Sequence, residues 1–255
     1  MILCFDIGNT KTACALYNDN VLCKIFDYPT HKTIAIEKIE EIKELAVQID
    51  QEYPQKTSKI EGMAYSSVVM QKNKEYIDFA EKLNIPKVVK IDQNCKLKVP
   101  MHYNLEQIGA DRIANIEEAN AKYGQNVVVA DIGTALTLDV IKKGIFTGGL
   151  ILPGLNSAFK SLNKDTDAIK NVKFEDVPEQ LIGNNTADCI KSGIYFGWVS
   201  MIEGLFEKIK ASYNQDFTLV LTGGFSQVLS PHILMPHVVD RMLTLDGVYR
   251  VYLNN

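Results

Sequence analysis

Short apolar runs punctuated by turn signals recur along the chain in two similar series. In the first, Ile2–Asp6, Thr12–Tyr17 and Val21–Phe26 have strand length, and Asn18-Asp19-Asn20 separates the last two with a strong turn signal. They predict three strands in an antiparallel meander. Thr33–Glu52 is charged on one side and apolar at Ile36, Ile39, Leu45 and Ile49, which predicts an amphipathic helix. Ile60–Val69 predicts a strand running into a small polar turn, Asn73–Leu83 a helix, and Lys87–Ile91 a short strand. Gly109–Ala121 carries a helical period at Ile113, Ile116, Ala119 and Ala121.

The second series opens with a buried strand at Val127–Ala130, a tight turn at Asp131–Thr134 and an alternating strand at Leu136–Val140. A hairpin at Lys142-Lys143-Gly144 leads through another strand to Gly148-Gly149-Leu150-Ile151-Leu152-Pro153-Gly154. Leu155–Leu162 predicts a helix and Asn163–Pro178 a polar loop. Asn184–Ser212 is the longest helical pattern, capped by Asn185 or Thr186. Gly193, Gly197 and Gly204 dot its length. Glycine inside a helix costs about 1 kcal/mol relative to alanine, so such a run suits close helix packing or ligand approach. Phe217–Thr222 predicts a strand ending in Thr222-Gly223-Gly224, which suits the adenine side of a nucleotide site, and Leu243–Tyr252 a terminal helix. Strands alternating with helices point to an α/β class with a mostly parallel extension of each sheet.

The two series share a motif. Ile2–Thr10 reads ILCFDIGNT and Val127–Asp139 reads VVVADIGTALTLD: an apolar strand, Asp-Ile-Gly, a hydroxyl residue, then another apolar strand. Glycine lets backbone approach an anion closely, threonine supplies a hydroxyl, and the aspartate can hold a metal ion against phosphate charge. One such turn is most simply a capped hairpin. Two, half a chain apart, signal internal duplication. The pattern resembles the acetate kinase, sugar kinase, Hsp70 and actin superfamily. That resemblance implies two duplicated ribonuclease H-like domains of mixed sheet plus helices, with a cleft between them, here 1–118 and 119–255 as actin-like ATPase domains.

Composition narrows the class. At 255 residues, 46% hydrophobic and 23% charged, the chain suits a globular protein of two domains. A formal charge of −4 offers no nucleic-acid surface, and no apolar run approaches a membrane span. The N-terminus lacks a basic region and goes straight into a strand, which predicts no signal peptide. Cys4, Cys14, Cys23, Cys95 and Cys189 form no C-x-x-C pair, consistent with a reducing, cytoplasmic setting without disulfides or zinc. His232 and His237, five apart, do not share a helical face and predict no metal site.

Five patterns in order carry a closer resemblance: Asp6-Ile7-Gly8-Asn9-Thr10; Gly109-Ala110-Asp111-Arg112; Asp131-Ile132-Gly133-Thr134-Ala135 with Asp139; Asn185-Thr186 leading to Ser192-Gly193-Ile194-Tyr195-Phe196-Gly197 and Glu203-Gly204; and Thr222-Gly223-Gly224. Leu243-Thr244-Leu245-Asp246-Gly247 adds a similar C-terminal signature. Together they resemble the type III pantothenate kinases. From spacing alone, Asp111 reads as a helix-capping carboxylate and Arg112 as a solvated charge. The resemblance implies otherwise, with Asp111 as general base and Tyr103, Gly109, Ala110, Asp111 and Arg112 as pantothenate contacts. It also implies ATP binding by Asp6, Ile7, Gly8, Asn9, Thr10, Lys11, Thr12, Ala13 and Thr134. It puts potassium or ammonium at Asp131, a divalent metal such as magnesium near Asp6, and a homodimer in which Thr186 reaches the partner's pantothenate. The implied activity is ATP-dependent phosphorylation of pantothenate at its 4′-hydroxyl, the first step of coenzyme A synthesis.

Two stretches depart from the family pattern. Tyr103-Asn104-Leu105-Glu106-Gln107-Ile108 lacks the usual proline and is one residue short, and Met70 follows Val69 where the family has proline. These changes leave open a related small-molecule kinase with an altered acceptor pocket. A non-catalytic regulator keeping the nucleotide fold is a further reading, which the presence of Asp6, Asp111, Arg112, Asp131 and Thr134 argues against.

Overall fold

The computed structural model describes residues 1–32, 42, 44, 47, 59–165 and 177–255, with only the backbone at 163–165. The described residues form two compact units, Met1–Glu118 with Leu243–Asn255, and Ala119–Met242. The terminal helix therefore belongs with the first sheet, whereas the sequence pattern grouped it with 119–255.

In the first unit, β1 (Ile2–Ile7), β2 (Lys11–Asn18), β3 (Val21–Pro29), β4 (Gly62–Ser67) and β5 (Val88–Lys90) form one sheet in the order β3-β2-β1-β4-β5. The first three strands are antiparallel, while β4 and β5 extend the sheet in parallel. The β2–β3 hairpin closes on Asp19 and Asn20, with φ of 49° and 66°. Two left-handed residues make a turn whose twist matches the strands, and Asp and Asn tolerate that conformation. Every residue of β4 is buried, as expected for a strand covered on both faces.

One face carries Leu3, Phe5, Ile7, Cys14 and Leu16. Helix α1 (Asn73–Lys82) packs there, with Phe5 edge-on to Tyr76 at 5.1 Å and to Phe79 at 5.7 Å between ring centroids. Truncating a fully buried phenylalanine such as Phe5 to alanine costs roughly 3–5 kcal/mol. Helix α2 (Ala110–Tyr123) follows β5. The opposite face of the sheet receives the terminal helix, α6 below. Of the helix expected over Thr33–Glu52, only Ile42, Glu44 and Val47 are described; they are helical, and Ile42 is buried in this core.

The second unit repeats the plan. Strands β6 (Val127–Ile132), β7 (Ala135–Lys142), β8 (Ile145–Pro153), β9 (Thr218–Thr222) and β10 (His237–Val239) lie in the order β10-β9-β6-β7-β8. Read from the opposite edge, this is the topology of the first sheet, again antiparallel through β6, β7 and β8 and parallel through β9 and β10. The β7–β8 hairpin also closes on two left-handed residues, Lys143 and Gly144. Val128, Ala130, Ile132, Leu136, Leu138 and Val140 face helices α3 (Leu155–Asp165) and α4 (Thr186–Tyr213). Helix α3 runs on to Asp165, so the expected loop at Asn163–Pro178 begins as helix; 166–176 lie outside the described residues. Helix α4, 28 residues or about 42 Å long, starts at the cap Asn185, whose side chain accepts from the Asp188 N–H. It ends at Asn214 in the left-handed conformation. The Gly-Gly after β9 leads only into a single turn, α5 (Ser226–Leu229). The terminal helix is α6 (Leu243–Asn254), which packs on β1, β2 and β4.

Candidate active site

Strand pairing places the two aspartates at equivalent positions. Asp6 lies opposite Ala13 on β2 and Ser66 on β4, and Asp131 opposite Thr137 on β7 and Thr222 on β9. Each aspartate therefore has a hydroxyl residue beside it on the parallel neighbour. Ser66 and Thr222 are both fully buried, and neither hydroxyl has a hydrogen-bond partner among the described residues. A buried hydroxyl without a partner is costly. The same buried hydroxyl thus stands beside the equivalent aspartate in both units. Sequence reasoning missed Ser66, and it singled out Thr222 only within Thr222-Gly223-Gly224, as the adenine side of a nucleotide site. Their signal was the small polar end of each parallel strand, Ser66-Ser67 and Thr222-Gly223.

The first turn runs from Gly8 to Lys11, with the Gly8 N–H donating to the Lys11 carbonyl at 3.1 Å. Within Asp6–Ala13, Ile7 and Thr12 are buried, while Asn9, Thr10 and Lys11 are exposed. Lys11 also pairs with Asp27 at 2.5 Å on the surface. The second turn is one residue shorter, with the Gly133 N–H donating to the Ala135 carbonyl at 2.9 Å. Gly223 adopts φ +85°, and a side chain there would run into the Asp131 carboxylate and the Ile132 backbone. Gly223 is thus required by the closeness of β9 to Asp131.

Gly109 starts helix α2, its carbonyl accepting from the Ile113 N–H at 3.1 Å. Asp111 sits in the first turn, where its Oδ1 accepts from the Arg112 N–H at 2.8 Å. Burial pushes the Asp111 carboxyl above the ordinary carboxylate range, against the opposing pull of the Arg112 N–H and guanidinium. Arg112 is not the solvated charge that spacing alone suggests. It is 5% exposed, and its guanidinium carbon lies 5.4 Å from the centre of the Tyr103 ring. Tyr103 therefore stands with Arg112 despite the shortened segment between them. Further along the same helix, Glu117 accepts from the N–H groups of Lys98 at 2.9 Å and Val99 at 2.8 Å, pinning the chain that leads to Tyr103.

The terminal helix braces α2. Gly247 meets the Ala114 backbone so closely that no side chain fits. The Thr244 hydroxyl donates to Asn115 Oδ1 at 2.8 Å, and Arg250 pairs with Glu118 at 2.5 Å. These contacts explain why Leu-Thr-Leu-Asp-Gly accompanies Gly-x-Asp-Arg in this chain: it seats the helix that carries Asp111.

The family model described as "Type III pantothenate kinase" matches residues 2–208. The chain belongs to the type III pantothenate kinase family. Among relatives of that name, the protein of Methylacidiphilum infernorum is 34% identical over 95% of this chain and 84% of its own length. That of Sulfurihydrogenibium sp. is 32% identical over 98% of each. Among solved structures, a "conserved putative Baf family transcriptional activator" from Campylobacter jejuni superposes with a TM-score of 0.60 at 20% identity, over 98% of this chain and 96% of that one. An inorganic polyphosphate/ATP-glucomannokinase from Arthrobacter sp. strain KM superposes at 0.51 and 14% identity, over 100% and 99%. These likenesses show the shared fold.

The donors present suit the divalent metal that a kinase of this family implies, and they would equally suit the monovalent cation expected from the resemblance. Carboxylate, hydroxyl and carbonyl oxygens are the hard ligands that magnesium and potassium take. Among the described residues no three His, Cys, Asp or Glu side chains gather into a metal cluster. A magnesium ion held by one carboxylate and the nucleotide's own phosphates needs none. Thr186 is the first residue of helix α4 and is exposed.

Proposed function

We propose that this protein transfers the γ-phosphoryl group of ATP to the 4′-hydroxyl of pantothenate, the first step of coenzyme A biosynthesis. The observation that carries the reading is Asp111, a carboxylate at the start of a helix, raised toward basicity by burial, with a buried arginine as its neighbour. Phosphoryl transfer needs positioning, charge neutralisation and a base for the hydroxyl. Asp111 accepts the hydroxyl proton as the new oxygen–phosphorus bond forms and the bond to the bridging oxygen of ADP breaks. Arg112 takes the pantothenate carboxylate through paired N–H donors, beside Tyr103, with Gly109 and Ala110 lining the approach.

Asp6–Ala13 and Thr134 hold the ATP phosphates. Magnesium bound near Asp6 and potassium or ammonium at Asp131 supply positive charge against those phosphates. A homodimer brings Thr186 to the partner's pantothenate. Supporting it, Cys189, Gly193, Gly197, Ser200 and Gly204 form an exposed row of small residues along α4, and a side chain on any of its three glycines would meet only open space. None of the five cysteines is in a disulfide, as suits the cytoplasm, and no helix among the described residues is long and apolar enough to cross a membrane.

The test is ADP release by the purified protein with ATP, magnesium and pantothenate, run in potassium and in sodium. Turnover that needs pantothenate and is faster in potassium supports the reading. ATP binding without pantothenate-dependent turnover overturns it. The likeness to the Campylobacter jejuni structure raises no regulatory alternative, since similarity at 20% identity speaks to fold alone.

A further inference from the structure

Immediately after its third strand, each unit returns to its own phosphate turn. In the first unit β3 ends at Pro29, and Thr30 then makes two bonds to the turn. Its N–H donates to the Thr10 carbonyl at 3.1 Å, and its hydroxyl donates to the Gly8 carbonyl at 2.7 Å. Thr30 is 4% exposed, and its oxygen also lies 3.0 Å from the hydroxyl of fully buried Thr12. In the second unit β8 ends at Pro153, and the Gly154 N–H donates to the Thr134 carbonyl at 3.1 Å. The Ser157 hydroxyl donates to the same carbonyl at 2.8 Å. A side chain on Gly154 would strike the carbonyls of Gly133 and Thr134, so only glycine seats here.

We infer that Thr30, and Gly154 with Ser157, are latches that set which backbone N–H groups each turn presents to phosphate. The inference deepens the proposed function and rests on it. Across a planar trans peptide the N–H points away from the carbonyl. Holding the Gly8 and Thr10 carbonyls toward Thr30 aims the N–H groups of Asn9 and Lys11 the other way, on an exposed stretch of chain. Holding the Thr134 carbonyl aims the N–H of Ala135 likewise. Backbone N–H groups aimed to one side of a turn in this manner favour an anion there. The extra residue of the first turn gives it two latched peptides where the second has one, so the first turn is the stronger phosphate holder. Thr30 and Ser157 are positioning residues that act through backbone and need not touch ATP.

The experiment measures magnesium-ATP binding by calorimetry without pantothenate, together with KM for each substrate and Tm, for Thr30→Val, Thr30→Ser and Ser157→Ala in the full chain. Loss of one orienting hydrogen bond predicts about tenfold weaker ATP binding in Thr30→Val, with the KM for pantothenate within about twofold of the parent. Thr30→Ser restores binding to within about twofold. Ser157→Ala, at a partly exposed site that leaves the fold intact, weakens it about threefold because the Gly154 N–H remains. ATP binding unchanged in both Thr30→Val and Ser157→Ala overturns the latch, as does a Thr30→Ser variant no better than Thr30→Val. A parent protein that binds no ATP overturns the phosphate reading itself, which separates the two failures.

Discussion

Gly109 and Asp111 are fitted to each other: a side-chain carbon on Gly109 would stand against the Asp111 carboxylate oxygen. The spacing Gly-x-Asp therefore governs where the Asp111 carboxylate can sit. The glycine leaves room for the carboxylate to fold back over the helix start and accept the Arg112 N–H.

Gly109→Ala should push that carboxylate aside. Turnover is expected to fall by about tenfold or more, since a displacement near 1 Å can cost about a hundredfold. ATP binding should stay within about twofold, because neither phosphate turn is altered. Steady-state kinetics beside calorimetry checks this; loss of both activities together would place Gly109 in the fold rather than at the base.

Asp111→Asn should reduce turnover by about 10²–10⁴-fold while sparing ATP binding. Its effect on stability has the opposite sign. The folded pKa of Asp111 is raised by burial, so its contribution to stability is present at acid pH and is lost as pH rises through that folded value. Asparagine avoids that loss, and the variant should melt at or above the parent temperature at neutral pH. In the parent, turnover should decline as pH falls through the raised Asp111 pKa, which puts the acid limb above the usual aspartate range. Near-normal turnover in Asp111→Asn would remove the residue from its role.

Arg112→Lys keeps the charge but not the planar pair of donors. The KM for pantothenate should rise by about tenfold or more, with the KM for ATP little changed. Tyr103→Ala should move the same parameter in the same direction by a smaller factor, because the cation–π contact is worth about 0.5–2 kcal/mol. An unchanged pantothenate KM in both variants would locate the acceptor pocket elsewhere.

Asp131→Ala should weaken activation by potassium over sodium. Measured as the ratio of turnover in the two salts, the potassium effect is expected to shrink toward unity. A preserved ratio would place the monovalent ion at other oxygens.

Tyr17→Phe tests the brace that holds the terminal helix. The Tyr17 hydroxyl donates to Asp246 at 2.6 Å, and its ring stacks on Tyr249 at 4.3 Å. Burial and the aspartate push the phenol pKa well up, so the phenol stays protonated as the donor throughout the working range. Removing the hydroxyl should destabilise the protein by about 1–3 kcal/mol, since the bond is to a charged group. Denaturant unfolding reads this directly, and an unchanged midpoint would show that the Tyr17–Asp246 bond contributes nothing to holding the helix.

The duplication, the strands and the paired Asp-Ile-Gly turns could be read from the chain alone. Strand runs, hairpin signals such as Asn18-Asp19-Asn20 and the repeated Asp-Ile-Gly are local, and local backbone preference is written in neighbouring residues. Other features depended on residues far apart in sequence. Arg112 is buried because Tyr103 and the packed helix surround it, and no spacing rule reports that. The hydroxyls of Ser66 and Thr222 gained meaning only when parallel pairing set them beside Asp6 and Asp131. Thr30 and Ser157 became latches only when the third strand of each sheet returned its end to the turn. Gly62 looks like an ordinary glycine until Tyr252 is seen against it, and only the Ala114 backbone shows why position 247 is glycine. The terminal helix follows the second series in sequence but packs on the first sheet. Its partner was chosen by the fit of Gly247, Thr244 and Arg250 to helix α2, a long-range complementarity that local periodicity does not encode.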